Sequence, residues 1–344
     1  MSQALKTTIP AGSWVLVTGA TGFIASNVIR ELLKRDYKVR GSVRDLNQAS
    51  WLVERVFKTA SDEGDFELVP VPDLTSKNAF DEAVKGVSAV MHVATITSLD
   101  PNPANVVPGT VDGALSVLKA AAKEPSVKEV VFTSSIMAAV TPLLGDSTHV
   151  VRDTWNEKAV KIAWAPPPYE ESRAFMTYAA SKVAAEKAVW DFVIKNQPHY
   201  TVNSINPSGV IGEPMHQKHS ESPANWLRHL WNGTREALDA YPAAYFIDVK
   251  DVALLHVAAM LDPEVKNARL QAWGRNSNWN EFLGIFREIR PEHDFNEDYP
   301  EARHLDITTD QNESLFLLKK WGSQDGWRSL RDASVDGVCN TYFK

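Results

Sequence analysis

Cysteine is nearly absent. Among 344 residues only Cys339 carries a thiol, which excludes an intrachain disulfide and a thiolate metal cluster and suits a reducing compartment. No apolar run approaches the ~18 residues needed to span a bilayer. The opening stretch MSQALKTTIPAGS also lacks an apolar core of signal-peptide length, so the expected location is cytoplasmic, with no membrane contact. Positive charge is not in surplus either. The 36 Lys and Arg stand against 43 Asp and Glu, a formal charge of −7, which gives no electrostatic reason to expect nucleic acid. No internal repeat, low-complexity segment or metal-ligand cluster is evident.

What the chain does have is the composition of a soluble globular protein, 44% hydrophobic and 23% charged, with regular alternation in its first half. WVLVTG (14–19), YKVRGSVR (37–44), FELVPV (66–71), SAVMHVA (88–94) and VKEVVFTSS (127–135) read as strands. Helical patterns at 23–36, 48–60, 77–85 and 105–122 separate them. Strands spaced by helices predict an α/β fold of Rossmann type, a doubly wound parallel sheet with helices on both faces. A stretch of roughly 40 residues after Ser135 is too long for an ordinary connection and reads as a functional loop. The Ala-rich helix around 175–186 and the strand at 200–207 then restore the pattern. Residues 1–210 are expected to form mainly the dinucleotide-binding domain, with 240–262 returning to it. Residues 211–344 should form mainly a smaller, interleaved substrate-binding region.

The strongest local motif is VLVTGATGFIAS (15–26). Gly19 and Gly22 fall at a strand-to-helix turn, where the backbone can approach a pyrophosphate held by the N–H groups of the following helix. The turn contributes Thr18, Gly19, Thr21, Gly22, Phe23 and Ile24 to the candidate cofactor site. Ala94 and Thr133 join them from the ends of the fourth and fifth strands. At the tip of the second strand the small Gly41 and Ser42 leave room, and Arg44 offers a planar fork to a 2′-phosphate, which favours NADPH/NADP. Asp45 reads as a helix cap, Asp73 and Leu74 are placed to meet an adenine, and His92 reads as a packed histidine.

Tyr178 and Lys182 stand one helical turn apart, so their ends can converge on one ligand. A tyrosine with an ordinary pKa of about 10 is a poor acid or base at neutral pH, and a neighbouring ammonium is expected to lower that value. Ser135, at a strand end, adds a hydroxyl for a carbonyl oxygen. By itself the Tyr-x-x-x-Lys spacing is weak, because most such pairs are surface neighbours contributing about 0.5 kcal/mol or less. The glycine turn and the serine-ended strand give it meaning.

Taken together, TGATGFIAS, VRGSVRD, FTSS, YAASK, INPSGVIGEP, FIDVKDVALLH and WGSQDGWRSLRD resemble the extended short-chain dehydrogenases/reductases. The resemblance is to the group of dihydroflavonol and cinnamoyl reductases and of fungal and yeast NADPH-dependent aldehyde, methylglyoxal and ketone reductases. It covers nearly the whole chain. It implies that Tyr178 protonates a carbonyl oxygen, that Lys182 binds the nicotinamide ribose and lowers the tyrosine pKa, and that Ser135, with Ser134 as fallback, orients the carbonyl. It also places Asn206, Pro207 and Val210 beside the nicotinamide. Val-Asp-Gly at 111–113 departs from relatives that carry an asparagine there, so no fourth catalytic residue is assigned.

A nucleotide-sugar epimerase or dehydratase would share this framework. However, Ile136 follows the serine where dehydratases carry an acid, and VNSIN lacks the arginine common in the sugar enzymes. A non-catalytic NADP sensor would typically have lost Tyr178 or Lys182. Trp155, Trp164, Phe175, Met176, Trp226 and Trp231 suggest an apolar pocket for a hydrophobic or aromatic small-molecule carbonyl, with Trp231 and Phe175 equally readable as core. Met176, Ser208 and Trp226 are the candidate substrate contacts, and a monomer or homodimer is expected.

Overall fold

A computed structural model describes residues 5–220, 226–239 and 241–339. The expected alternation takes physical form as β1 (Trp14–Thr18), α1 (Phe23–Leu33), β2 (Lys38–Val43), α2 (Leu46–Trp51), α3 (Lys58–Asp62), β3 (Phe66–Pro70), β4 (Ala89–His92), α4 (Pro103–Ala121) and β5 (Glu129–Thr133). The chain continues through β6 (His149–Val150), α5 (Glu157–Ala163), α6 (Ala174–Asn196), β7 (Thr201–Pro207), β8 (Gly209–Ile211), α7 (Gln217–Ser220), α8 (Trp226–Trp231) and α9 (Glu236–Asp239). It closes with β9 (Ala243–Asp248), α10 (Val249–Leu261), β10 (Arg269–Ala272), β11 (Arg275–Asn278), α11 (Trp279–Ile289), β12 (Thr308–Thr309), α12 (Asn312–Gly322) and α13 (Leu330–Val338).

The seven-stranded sheet is parallel throughout, in the order β10-β7-β5-β4-β1-β2-β3. Its central strands are continuous apolar runs because helices cover both faces. Val15, Val17, Val39 and Met91 face one cluster with α1 and α10, and Leu16, Val90, Val130 and Val202 face another with α4 and α6. The chain reverses direction across the sheet between β1 and β4. In an open parallel sheet, that switch point is where ligands bind, at the carboxyl ends of the strands.

The segment at 77–85 does not form the expected helix. Asn78 takes a left-handed φ of 61°, and i→i+3 bonds such as Asp81 N–H to Asn78 O make successive turns that drop Phe80 and Val84 into the core. The long segment after Ser135 carries structure of its own, since it contains α5 and β6, and β6 pairs with β12. YFIDV does not enter the large sheet. It lies in β9, at the centre of a second sheet ordered β11-β9-β8, whereas RLQA forms β10 at the edge of the large one. Trp279, Phe282, Phe286 and Phe246 pack the core of this C-terminal part.

Glu129, at the start of β5, is 5% exposed, and its Oε2 lacks a partner among the described residues. Burial pushes its carboxyl up to about 8, against a hydrogen bond from Thr201 and the charge of Lys266. A raised folded-state value means stability that is full below the unfolded pKa near 4.5 and lost as pH rises toward 8. Glu129→Gln should therefore raise the urea midpoint at pH 8 and leave it nearly unchanged at pH 4, as read by denaturation at the two pH values.

Candidate active site

At the switch point β1 hands over to the glycine turn. The Thr18 hydroxyl is buried and accepts from the N–H groups of Val93 at 3.0 Å and Ala94 at 2.9 Å. Its own proton therefore goes to His92 Nδ1 at 2.9 Å. His92 is buried and its pKa is held down near 3 by burial and by Lys182, so the ring is neutral and packed, as expected. Gly19 adopts φ +69°, and a Cβ there would stand 3.1 Å from the Ala94 side chain, so only glycine lets the turn lie this close. Gly22 is the N-cap of α1 and no side chain caps it. The first-turn N–H groups of Phe23 and Ile24 are thus left for an anion, and this donor set fits a dinucleotide pyrophosphate.

The sequence reading missed His219. Its Nδ1 accepts from Met215 N–H at 3.3 Å, so Nε2–H donates to Thr21 O at 2.9 Å, and the segment roofs the turn. The His216 ring lies 4.2 Å from that of Trp51, tilted by 32°, alongside it.

At the second strand tip, Arg44 is exposed and Asp45 caps α2 by accepting from the N–H groups of Asn47 and Gln48. Arg40 is taken up elsewhere, by Glu67 at 2.6 Å and by the carbonyls of Ala83 and Lys85. Gly41 and Ser42 do not open space at the tip as expected. They are buried beneath the glycine turn, where a Cβ on Gly41 would meet the Ala20 side chain at 2.8 Å. Asp73 accepts from Thr75 and Ser76 in a tight turn, and the Leu74 side chain fills the space over Gly113 that a side chain would need.

The structure brings Ser135, Tyr178 and Lys182 together. Ser135 follows β5 and receives Met137 N–H at 3.1 Å, which holds its hydroxyl at the strand end. Burial raises the Tyr178 pKa, and the Ser135 hydroxyl beside the phenol opposes that rise. The net direction is upward, contrary to expectation, because burial outweighs the Ser135 hydrogen bond. Lys182 Nζ lies 6.0 Å from the Tyr178 ring and donates to Thr95 Oγ1 at 3.4 Å. Burial brings its own pKa down to about 8, with Glu186 opposing.

Several predicted residues turn inward. The Thr133 hydroxyl bonds His256 at 2.7 Å, and that of Thr18 is taken up by His92, Val93 and Ala94. Asn206 is fully buried and donates to Glu186 at 2.9 Å and to Ser135 O at 3.4 Å, with Pro207 buried beside it and Val210 half-buried. Ser208 donates to Trp273 O at 2.7 Å. Ser134, the fallback for Ser135, donates instead to Glu186 at 2.7 Å. Met176 meets Thr141, and Phe175 packs on Tyr241 at 4.9 Å. Trp226 lies against Phe246 and Trp279, and Trp231 belongs to the C-terminal core. Trp155 lies under the Arg269 guanidinium at 4.1 Å, and Trp164 is exposed.

Glu186 and Arg269 were also missed. They form a fully buried ion pair at 2.8 Å, with Arg269 Nη1 donating to the carbonyls of Arg152 and Thr154 at 2.7 Å each. The spacing Tyr178, Lys182, Glu186 was a signal, since a carboxylate continuing a buried stripe of every fourth residue needs a partner. Nothing local marked Arg269. Among the described residues no group of His, Cys, Asp or Glu could hold a metal, and no helix is long and apolar enough to cross a membrane.

Residues 15–270 match the NAD dependent epimerase/dehydratase family, and the chain belongs to it, within the extended short-chain dehydrogenases/reductases. Over 95% of its length the chain is 37% identical to the NAD-dependent epimerase/dehydratase terH of Aspergillus terreus, covering 96% of that protein. It is 35% identical to aldehyde reductase 2 of Sporidiobolus salmonicolor, over 98% of both chains. Among solved structures it resembles the yeast methylglyoxal/isovaleraldehyde reductase Gre2 complexed with NADPH, with a TM-score of 0.78, 27% identity, and 95% and 97% of the two chains covered.

Removing one partner of a buried pair leaves an uncompensated charge. Arg269→Met should cost about 3–5 kcal/mol of unfolding free energy, measured by urea denaturation at pH 7.

Proposed function

We propose that this protein reduces aldehydes or ketones to alcohols with NADPH, using Tyr178 as the proton donor. The observation that carries the reading is the convergence of Ser135, Tyr178 and Lys182 at the carboxyl edge of the sheet, beside an uncapped glycine turn. The likeness to an aldehyde reductase and to an NADPH-bound reductase supports it. NADPH, when bound, supplies the hydride for the carbonyl carbon. The chain's own residues do the rest. Gly19, Thr21 and Gly22, with the N–H groups of Phe23 and Ile24, take the pyrophosphate, Arg44 takes the 2′-phosphate, and Asp73, Leu74 and Ala94 flank the nucleotide. Lys182 holds the nicotinamide ribose, with Thr18, Thr133, Asn206, Pro207 and Val210 shaping the floor. Ser135 donates to the substrate oxygen, and a Tyr178 phenol kept protonated by burial passes its proton to that oxygen as negative charge develops there.

Ile136 and Met137, which follow Ser135, are buried in an apolar cluster with Trp273. No acid stands there to help expel water, which favours a reductase over a dehydratase. In this reading residues 1–210, with the segment returning to them, hold the cofactor. Residues 211–344, with Met176, Ser208 and Trp226 at the boundary, shape an apolar pocket for hydrophobic carbonyls.

Following NADPH absorbance with aryl ketones, α-keto esters and aldehydes tests the activity. Tyr178→Phe should lower kcat by about 10²–10⁴-fold, and full activity in that variant would remove Tyr178 as proton donor. Arg44→Ala should raise KM for NADPH by about tenfold or more and leave KM for NADH nearly unchanged; equal effects on both would remove Arg44 as the phosphate reader.

A further inference from the structure

Glu186 lies on the same face of α6 as Tyr178 and Lys182 and is fully buried. Its oxygens accept from Ser134 Oγ at 2.7 Å, Asn206 Nδ2 at 2.9 Å, Ser204 Oγ at 3.0 Å, Trp190 Nε1 at 3.3 Å, and Arg269 Nε at 2.8 Å. These partners arrive from the end of β5, from β7, from α6 itself and from β10. The same carboxylate thus ties the strand end that presents Ser135 to the helix that presents Tyr178 and Lys182.

The groups around Lys182 are few. From α6 come Tyr178 and Glu186, and from the end of β4 comes His92, which burial keeps neutral. Thr95 offers a hydroxyl, and Arg269 of β10 stands behind Glu186. Helix α4 packs along α6 but its Asp112 is exposed, and on the α5 side Glu157 pairs with Lys187 at the surface. Among the described residues Glu186 is therefore the anion that acts on Lys182, and it opposes the effect of burial there.

We infer that Glu186 is a positioning residue for the reduction, an assignment that rests on the reductase reading: it locks the Ser134–Ser135 strand end to α6 and supplies the counter-charge to Lys182, while Arg269 balances Glu186 from behind. Glu186 touches neither substrate nor cofactor and acts through Lys182 and Ser135.

The test is an NMR titration of the protein with ¹³C-labelled lysine, the Lys182 signal assigned by its loss in Lys182→Met, alongside the pH profile of kcat. Burial is expected to bring the Lys182 midpoint down to about 8 in the parent. In Glu186→Gln its midpoint should fall by about one unit or more, and the alkaline limb of kcat should fall with it. Because Glu186→Gln strands Arg269 and can unfold the protein, Glu186→Gln/Arg269→Met is measured as well. That double variant removes both buried charges and should recover stability without recovering the Lys182 midpoint. An unmoved Lys182 midpoint in the double variant, or a normal pH profile in either variant that folds, overturns the inference. The titration needs neither cofactor nor turnover, so it stays readable even if Tyr178→Phe were to defeat the reductase reading.

Discussion

A carboxylate taken fully out of water is tolerable only where opposite charge and hydrogen-bond donors surround it, and Glu186 has both. Satisfying it draws β5, β7, β10 and α6 to one point. Because α6 also bears Tyr178 and Lys182, and β5 runs into Ser135, the geometry of this candidate catalytic set follows from how that carboxylate is held. Arg269 extends the constraint outward by gripping the carbonyls of Arg152 and Thr154, so the segment after Ser135 is fastened to the same ion pair.

A second device operates at the switch point. Thr18 accepts from two N–H groups at the end of β4 and donates to His92, so β1 and β4 are fixed where the sheet changes direction. That fixes the glycine turn relative to Ala94. His92 in turn stands near enough to Lys182 for the lysine charge to depress its pKa. The glycine turn is therefore tied through Thr18 to a buried, neutral imidazole that lies within reach of the Lys182 charge.

The features legible in the sequence are those whose chemistry needs neighbours in the chain. The glycine turn, the Tyr178/Lys182 spacing, the serine-ended strand and the Asp45 cap all express local backbone geometry, and the βα alternation announces a parallel sheet. Hidden features depend on partners distant in sequence. Arg40 and Arg44 look alike on one strand edge, yet only the fold gives Arg40 to Glu67 and leaves Arg44 exposed. Gly41 reads as room for a ligand until Ala20 is seen above it. Residues 77–85 have a helical pattern, but a left-handed Asn78 and the burial of Phe80 override local propensity. Arg269 finds Glu186 across 83 residues, with no periodicity to reveal it.

The direction of the tyrosine shift shows why spacing alone misleads about electrostatics. In water a lysine holds its proton slightly more tightly than a tyrosine does, about 10.4 against 10. Burial acts on the two in opposite senses, because it disfavours whichever form is charged: the phenol rises and the ammonium falls to about 8. Their order is thereby inverted, and the phenol becomes the more tenacious holder of its proton. A phenolate at Tyr178 would then be a stronger base than the Lys182 amine beside it. The counter-charge of Glu186 opposes the fall of the ammonium.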